Sequence, residues 1–237
     1  MLQFSFAFPI AGRRKWTEER GGDVGAKAFV FDMDGTILHT LPDLTVVTNK
    51  ALAQMGYPLR TEHEVLTFVG NGAARLVGQA CPSQATDEER QRTLELWQRI
   101  YLECGDNLTA PFPGIVDVLR ELRARGAKTA VLSNKFDAAV RELSDHYFPG
   151  LFDVSRGEIP PIPRKPDPTA LLQVIQELGA TPADTVYVGD TSVDAEVARN
   201  AGTKIVGVSW GYDEALPMPI DELDGYIHDA RELLTFL

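Results

Sequence analysis

Two carboxylates, Asp32 and Asp34, lie two residues apart and directly follow the short apolar run 28–31. Such a run is typical of a buried strand, and side chains at i and i+2 of an extended segment point the same way. We therefore expect both acids to converge on one small volume, where a divalent cation would relieve their repulsion. Gly35 and Thr36 add a permissive backbone and a hydroxyl group. An acidic surface turn is the alternative, because Asp and Gly are common in turns.

Polar residues recur where later strands are predicted to end. The apolar runs 128–132 and 185–188 are followed by such residues, and a proline-rich loop carries a lysine: Ser133, Asn134, Asp190, Asp194 and Lys165. The alternation of predicted strands and helices after residue 111 favours a parallel sheet, whose ligand site lies at the carboxyl ends of the strands. We therefore expect these side chains to lie near the acid pair.

Together these residue types suit phosphate chemistry that depends on a metal ion. Three carboxylates supply oxygen ligands of the kind that Mg²⁺ prefers. An aspartate can also act as a nucleophile and form an aspartyl-phosphate. Ser133 and Lys165 would then hold the phosphate and stabilise the charge on its oxygens.

Each of these residues also has a purely structural interpretation. Ser133 and Asn134 are compatible with a turn after a strand, and Lys165 with a solvated loop. Asp190 suits a turn, and Asp194 suits the first turn of a helix, where the helix dipole favours an acid. Their joint occurrence, mostly at predicted strand ends, favours a shared site over coincidence.

The elements that must position these residues divide the chain into three parts. Residues 1–25 are predicted to form an extension, either loosely packed or a partner-binding arm. The core is predicted over 26–38 and 111–237. Four amphipathic helices without a strand are predicted over 39–110, the first of them capped by Asp43. The predicted fold class is therefore α/β, a Rossmann-like parallel-sheet core with an inserted helical-bundle cap domain.

Composition excludes several other classes of function. The net charge of −11 argues against a nucleic-acid binder, because phosphate contacts need clustered Lys and Arg. Two cysteines are too few for a disulfide framework, and four scattered histidines argue against a His-based metal site. No apolar run approaches the roughly 18 residues of a membrane span, and the first residues lack a signal-peptide pattern. We expect a cytoplasmic protein, monomeric or homodimeric, that acts on a small phosphorylated metabolite.

In their order, the motifs resemble those of the haloacid dehalogenase superfamily, in the phosphatase branch that carries a helical cap after the first motif. The matching segments are Asp32-Met33-Asp34-Gly35-Thr36, Ser133-Asn134, Lys165-Pro166, and Gly189-Asp190 with Asp194. The resemblance implies a Rossmann-like core and the hydrolysis of phosphate monoesters through an aspartyl-phosphate.

The same resemblance implies a role for each matched residue. Asp32 would attack phosphorus, while Asp34 would protonate the leaving oxygen and later activate water. Mg²⁺ would be bound by Asp32, the backbone carbonyl of Asp34, and Asp190, and Asp194 would support the metal site through water or a hydrogen bond. Substrate binding would involve Thr36, Ser133, Asn134 and Lys165.

Within that superfamily, the acid at Asp34 favours a phosphate ester, because dehalogenases lack it and phosphonatases carry alanine there. The stretch 68–73 is similar to the substrate-facing cap loop of phosphoglycolate phosphatases. Asn71 and Gly72 would bring backbone amides to a small carboxylate, and Arg75 would pair with it or point to solvent. Phosphoglycolate is thus the first candidate substrate. The alternatives are a phosphosugar phosphatase, a mutase of the β-phosphoglucomutase type and a non-catalytic phosphate-binding regulator.

Overall fold

A computed structural model of the chain describes residues 25–104, 107–214 and 216–237. The predicted N-terminal extension therefore lies, except for its last residue, outside the described residues. Among the described helices, none combines the length and apolar character that crossing a membrane would require.

The core is a six-stranded sheet in which every neighbouring pair of strands is parallel. The strands of the chain are β1 Ala28–Phe31, β2 Leu38–His39, β3 Ala110–Pro111, β4 Lys128–Phe136, β5 Val154–Glu158, β6 Thr185–Gly189, β7 Lys204–Val208 and β8 Gly225–Ile227. The order across the sheet is β5-β4-β1-β6-β7-β8, and β2 pairs with β3 in a separate antiparallel ribbon. The predicted α/β fold class with a parallel sheet is confirmed.

The described residues form eight α-helices, which surround the sheet or build the segment between β2 and β3. They are α1 Leu41–Gln54, α2 Glu62–Leu66, α3 Ala73–Ala80, α4 Asp87–Cys104, α5 Ile115–Ala124, α6 Asp137–Tyr147, α7 Thr169–Glu177 and α8 Ser192–Ala201. Helices α1 to α4 form the cap, and the β2–β3 ribbon joins it to the core at both of its ends. The cap has its own apolar cluster, into which Ala139 of α6 and Tyr212 also pack.

The central strand β1 explains why an uninterrupted apolar run precedes the acid pair. Phe29 and Phe31 pack into the cluster that includes α5 and α6, whereas Ala28 and Val30 pack into the cluster that includes α7 and α8. All four side chains are fully buried. Because side chains alternate across a strand, a strand covered on both faces needs apolar residues at every position. The loop that follows β1 is thereby fixed at the middle of the sheet edge.

One predicted strand boundary differs from the observed one. Strand β4 continues to Phe136, past the predicted end at residue 132, with an irregular register against β5 after Leu132. Near the end of the described chain, Ala230–Phe236 form a 3-10 helix. Local apolar patterns do not reveal where pairing with a neighbouring strand starts and stops, so strand ends are the weakest part of such predictions.

Asp43 does not cap α1 as predicted, because the helix already begins at Leu41. Its buried carboxylate instead reaches the segment that returns to the core. Asp43 Oδ2 accepts hydrogen bonds from the backbone N–H of Leu108 (2.8 Å), the backbone N–H of Thr109 (2.6 Å) and the Thr109 hydroxyl (2.7 Å). The Tyr147 hydroxyl donates to the Thr109 carbonyl at 2.8 Å. Asp43 thus joins the entry and exit of the cap.

We expect Asp43→Ala to lower the free energy of unfolding by about 3 kcal/mol, because three donors at a buried position lose one charged acceptor. Urea denaturation of the purified variant measures this difference. Asp43→Asn keeps an oxygen acceptor but removes its charge, so it should cost less than half as much.

The matched control for this prediction is Asp117→Ala on α5, where the side chain is 82% exposed and pairs with Arg120. Exposed substitutions of this kind change the unfolding free energy by about 0.5 kcal/mol or less. If Asp43→Ala cost no more than Asp117→Ala, the bridge between entry and exit would contribute nothing measurable.

Candidate active site

The loop after β1 is a tight turn that places both predicted acids at the carboxyl end of the sheet. The Met33 carbonyl accepts hydrogen bonds from the backbone N–H groups of three residues: Thr36, Ile37 and Leu38. Gly35 has a φ of +84°, and a Cβ at this position would collide with the Asp190 carboxylate. Glycine is therefore required here both for the backbone conformation and for the close approach of Asp190 from β6.

Asp190 is fully buried and is held from two sides. The Thr36 hydroxyl donates to its Oδ1 at 2.7 Å, and the backbone N–H of Tyr212 donates to its Oδ2 at 2.7 Å. Thr36 is itself fully buried and does not line the cavity described below. The structure therefore uses Thr36, predicted as a substrate-binding residue, to orient Asp190.

Asp194 lies in the first turn of α8, and both of its oxygens have protein donors. Lys165 Nζ (2.8 Å) and the Tyr187 hydroxyl (3.3 Å) donate to Oδ1. The backbone N–H groups of Asp190 (3.3 Å) and Thr191 (3.1 Å) and the Thr191 hydroxyl (2.9 Å) donate to Oδ2. Five donors leave this carboxylate little capacity for a direct metal bond, so its geometry suits a supporting position.

Lys165 is buried rather than solvated, and it connects the acids of two elements. Its Nζ lies 2.9 Å from Asp32 Oδ1 and 2.8 Å from Asp194 Oδ1, and it donates to the Tyr187 hydroxyl at 3.0 Å. Burial disfavours the charged ammonium, but the carboxylates of Asp194 and Asp32 hold the pKa of Lys165 well above its usual value.

Three buried carboxylates face this single ammonium. Oxygens of Asp32, Asp190 and Asp194 lie within 4.8 Å of one another. Burial, with the nearby Asp194 and Asp32, raises the pKa of Asp190 well above its usual range. Burial likewise raises the pKa of Asp32 to about 6, although Lys165 acts in the opposite direction. This excess of negative charge at an oxygen-rich position is the arrangement that a divalent cation would neutralise.

One oxygen of the set supports this fit directly. Asp32 Oδ1 is buried and accepts no hydrogen bond with acceptable geometry from the described residues, despite its proximity to Lys165. A carboxylate oxygen has more than one lone pair, so the ion pair with Lys165 leaves Asp32 Oδ1 able to accept a further ligand. The donor set therefore fits a hard cation such as Mg²⁺, which takes carboxylate, carbonyl and water oxygens.

A small cavity, partly open to solvent, lies between these acids and the cap. Of the residues predicted to form the site, it is lined by Asp32, Asp34, Ser133, Asn134 and Gly72. The remaining wall is mainly apolar and comes largely from the cap: Leu44, Val69, Leu76, Trp97 and Phe136. The cavity is thus lined by charged residues on the core side and mainly by apolar residues on the cap side.

Asn134 connects the core to the cap. Its Oδ1 accepts from the backbone N–H of Lys165 (2.9 Å), and its Nδ2 donates to the carbonyls of Lys165 (3.1 Å) and Gly70 (3.1 Å). The Arg164 guanidinium donates to the carbonyl of Asn71 at 2.9 Å. Asn134 therefore positions the lysine loop, and the contribution of Asn71 to this contact is its backbone carbonyl.

Arg75 is not brought to the site with the other residues. It is exposed on α3 and does not line the cavity, although Ala73 and Leu76 of the same helix do. Side chains one or two positions apart on a helix point in different directions, so a motif that reaches the site does not carry each of its neighbours there. The expectation that Arg75 pairs with a substrate carboxylate stays a prediction without a contact in this structure.

Lys135 is the residue that sequence reasoning missed. Its Nζ donates to both oxygens of Asp34, at 3.0 and 3.2 Å, and lies 4.7 Å from the centre of the Tyr101 ring. Burial disfavours its charge, but Asp34 and Tyr101 keep the pKa of Lys135 above its usual value. The sequence did contain a signal for Lys135. If the predicted strand had been continued beyond residue 132, Lys135 would have been placed on the same face as Ser133, because every second side chain of a strand points the same way.

Comparison with known proteins agrees with this geometry. The haloacid dehalogenase-like hydrolase family matches residues 29–208. A phosphoglycolate phosphatase from Pseudomonas putida is 35% identical over 212 residues, which cover 86% of this chain and 77% of that protein. A phosphoglycolate phosphatase from Vibrio vulnificus is 33% identical over 88% of this chain and 94% of that protein. The structure of a putative phosphoglycolate phosphatase from Lactobacillus delbrueckii has a TM-score of 0.81 at 33% identity, and the match covers 89% of this chain and 97% of that one.

We expect Mg²⁺ to stabilise the folded protein, because the folded state alone assembles the three carboxylates. At ten times its dissociation constant, a ligand that binds only the folded state adds about 1.4 kcal/mol to the free energy of unfolding. Thermal unfolding with and without millimolar MgCl₂, at constant ionic strength, measures this effect.

The informative variant for this experiment is Asp190→Asn. It removes one of three like charges, so without metal it should be at least as stable as the wild type, yet it should respond much less to Mg²⁺. Asp117→Asn on the exposed surface of α5 is the matched control and should keep the full response. A full response in Asp190→Asn would place the cation elsewhere.

Proposed function

The chain belongs to the haloacid dehalogenase-like hydrolases and is a phosphatase, and we propose that it is a Mg²⁺-dependent phosphate monoester hydrolase whose preferred substrate is 2-phosphoglycolate. The observation that carries this proposal is the buried group of Asp32, Asp190 and Asp194, in which Lys165 pairs with Asp32 and Asp194 and Asp32 lines a small cavity. The names of relatives at 33% and 35% identity support the choice of substrate.

In the proposed reaction, Asp32 is the nucleophile. One of its oxygens attacks phosphorus, the bond from phosphorus to the ester oxygen breaks, and an aspartyl-phosphate forms. Asp34, two residues further along the same loop, donates a proton to the departing oxygen. Asp34 then takes a proton from the water that attacks phosphorus, which releases inorganic phosphate and restores Asp32.

Other residues would hold the phosphate and the charge that develops on it. Ser133 lines the cavity beside the acids, and Lys165 supplies an ammonium that is already oriented by Asp194 and Tyr187. Asp32, the backbone carbonyl of Asp34, and Asp190 would bind Mg²⁺, which supplies positive charge against the phosphate oxygens. Asp194 would support the metal site indirectly, since protein donors occupy its oxygens.

The shape and lining of the cavity favour a small substrate. Its wall offers mainly apolar side chains, which would not satisfy the hydroxyl groups of a sugar. The phosphosugar phosphatase and the β-phosphoglucomutase-type mutase share the same core chemistry, so the assays below include their substrates.

We expect Asp32→Asn to abolish phosphate release and to leave the fold intact, because the amide cannot attack phosphorus as a carboxylate does. The measurement is inorganic phosphate released per enzyme, with circular dichroism and thermal unfolding as the folding checks. Asp117→Asn should retain wild-type turnover. A loss of only tenfold in Asp32→Asn, about 1.4 kcal/mol in barrier height, would be too small for a nucleophile.

We also expect 2-phosphoglycolate to give the highest kcat/KM in a panel of phosphate esters assayed with Mg²⁺. The panel includes 2-phosphoglycolate, β-glucose 1-phosphate, glucose 6-phosphate, glycerol 3-phosphate and p-nitrophenyl phosphate. A phosphosugar at the top of the ranking would replace the proposed substrate. Conversion of β-glucose 1-phosphate into glucose 6-phosphate without phosphate release would identify a mutase, and no turnover of any ester would favour a binding protein.

A further inference from the structure

Lys135 places a buried ammonium group inside the cavity. Its side chain is 4% exposed, and it reaches Asp34 from β4 while Lys165 approaches Asp32 from the proline-rich loop. The two lysines therefore occupy different parts of the site. Lys165 has three partners that fix it in the core, whereas Lys135 lies between Asp34 and the Tyr101 ring of the cap helix α4.

The hydrogen-bonding capacity of Lys135 is only partly used. An ammonium group carries three N–H donors. Among the described residues, its carboxylate acceptors are the two oxygens of Asp34, and both the ring and the hydroxyl group of Tyr101 lie beside it. A second acceptor that entered the cavity could therefore bind Lys135 without breaking a network of several partners.

The other charged side chains of the described cavity lining are acidic. Among the described residues that line it, Lys135 is the only cation, the charged groups beside it are Asp32 and Asp34, and the rest of the wall is mainly apolar. An anion placed against that apolar wall would be desolvated without compensation. If a substrate carries a second negative group besides its phosphate, the charges of the cavity direct that group to Lys135.

The start of α3 lies next to the same strand. A Cβ on Gly72 would lie 3.1 Å from the carbonyl oxygen of Asn134, the residue before Lys135. Gly72 and Ala73 line the cavity, and the first N–H groups of a helix have no acceptor within the helix. Free amides at this position would add neutral donors for an anion held between core and cap.

From this geometry we propose that Lys135 is the specificity-determining residue that recognises a carboxylate on the substrate, close to the phosphate that is cleaved. When the substrate binds, the ammonium group shares or exchanges its contact with Asp34 for the substrate carboxylate. This inference rests on the proposed phosphatase function and assigns to the core strand β4 the recognition that the sequence pattern assigned to Arg75.

The test compares two esters that differ at one group, 2-phosphoglycolate and ethyl phosphate, in which a methyl group replaces the carboxylate. The wild type should have the higher kcat/KM for 2-phosphoglycolate. Lys135→Met should lower kcat/KM about 30-fold more for 2-phosphoglycolate than for ethyl phosphate, which is the loss expected for a hydrogen bond to a charged group. Lys135→Arg keeps the charge and should recover part of the preference.

The ratio of the two kcat/KM values separates recognition from positioning. If Lys135 only orients Asp34, both esters lose activity equally, the ratio stays at its wild-type value, and the proposal is overturned. Lys50→Met, which removes an exposed lysine on α1, is the matched control and should leave the ratio unchanged. A ratio that falls in Arg75→Ala and not in Lys135→Met would also overturn the proposal and assign the carboxylate to the cap.

Two further outcomes keep the test decisive. If Lys135→Met does not fold, Lys135→Gln provides the same comparison. If the wild type shows no preference for 2-phosphoglycolate over ethyl phosphate, that result alone overturns the proposal. If the wild type hydrolyses neither ester nor p-nitrophenyl phosphate, the proposed phosphatase function fails and this inference fails with it. Hydrolysis with an unchanged ratio rejects the role of Lys135 alone.

Discussion

The ion pair that Lys165 makes with Asp32 and Asp194 is the interaction on which the site depends. An ammonium group and carboxylates buried this deeply lose their hydration, so the arrangement is tolerable only when nearly every donor and acceptor has a partner. Asp194 meets that condition with five donors, and Lys165 meets it with three partners. The negative charge of Asp32 and Asp190 is not fully compensated by Lys165, and it lies where a cation and a phosphate would bind.

The scaffold around this ion pair is correspondingly rigid. Five prolines between residues 160 and 168 restrict the loop that presents Lys165. The side-chain amide of Asn134 bonds both the N–H and the carbonyl of Lys165, so the strand and the loop cannot shift independently. Preorganised charge of this kind is what stabilises a transition state without reorganisation during the reaction.

The cap is attached to the core through residues that also belong to the site. The backbone N–H of Tyr212 binds Asp190, and its hydroxyl accepts from the backbone N–H of Leu41 and contacts His39 Nδ1 at the cap entry. Asp43 ties that entry to the exit at Thr109. Because Tyr212 contacts both Asp190 and the start of the cap, a displacement of the cap would change the position of the group that binds Asp190. Substrate selection and charge balance are therefore structurally connected.

The sequence predicted those parts of the structure that local patterns determine. Apolar periodicity and the strand–helix alternation identified the parallel sheet, residue types at strand ends pointed to the acids, and the proline-rich loop pointed to Lys165. The misassigned residues depend on contacts between distant segments. Asp43 has the spacing of a helix cap, yet its partners lie 65 and 66 positions away. The extension of β4 to Phe136 depends on pairing with β5, and the position of Lys135 follows from that extension.

The position of Lys135 on β4 affects how substrate specificity is divided between the core and the cap. The apolar wall comes largely from the cap, but the one cation of the described cavity lining belongs to a core strand, one residue from the amide that fixes Lys165. The cap determines the shape of the cavity and excludes water from it, and both properties can vary while the core stays the same. The charge of Lys135 is instead placed by β4, the strand that also carries Ser133 and Asn134. Recognition of a substrate anion would then be tied to the reaction centre itself, and exchange of the cap alone would leave it in place.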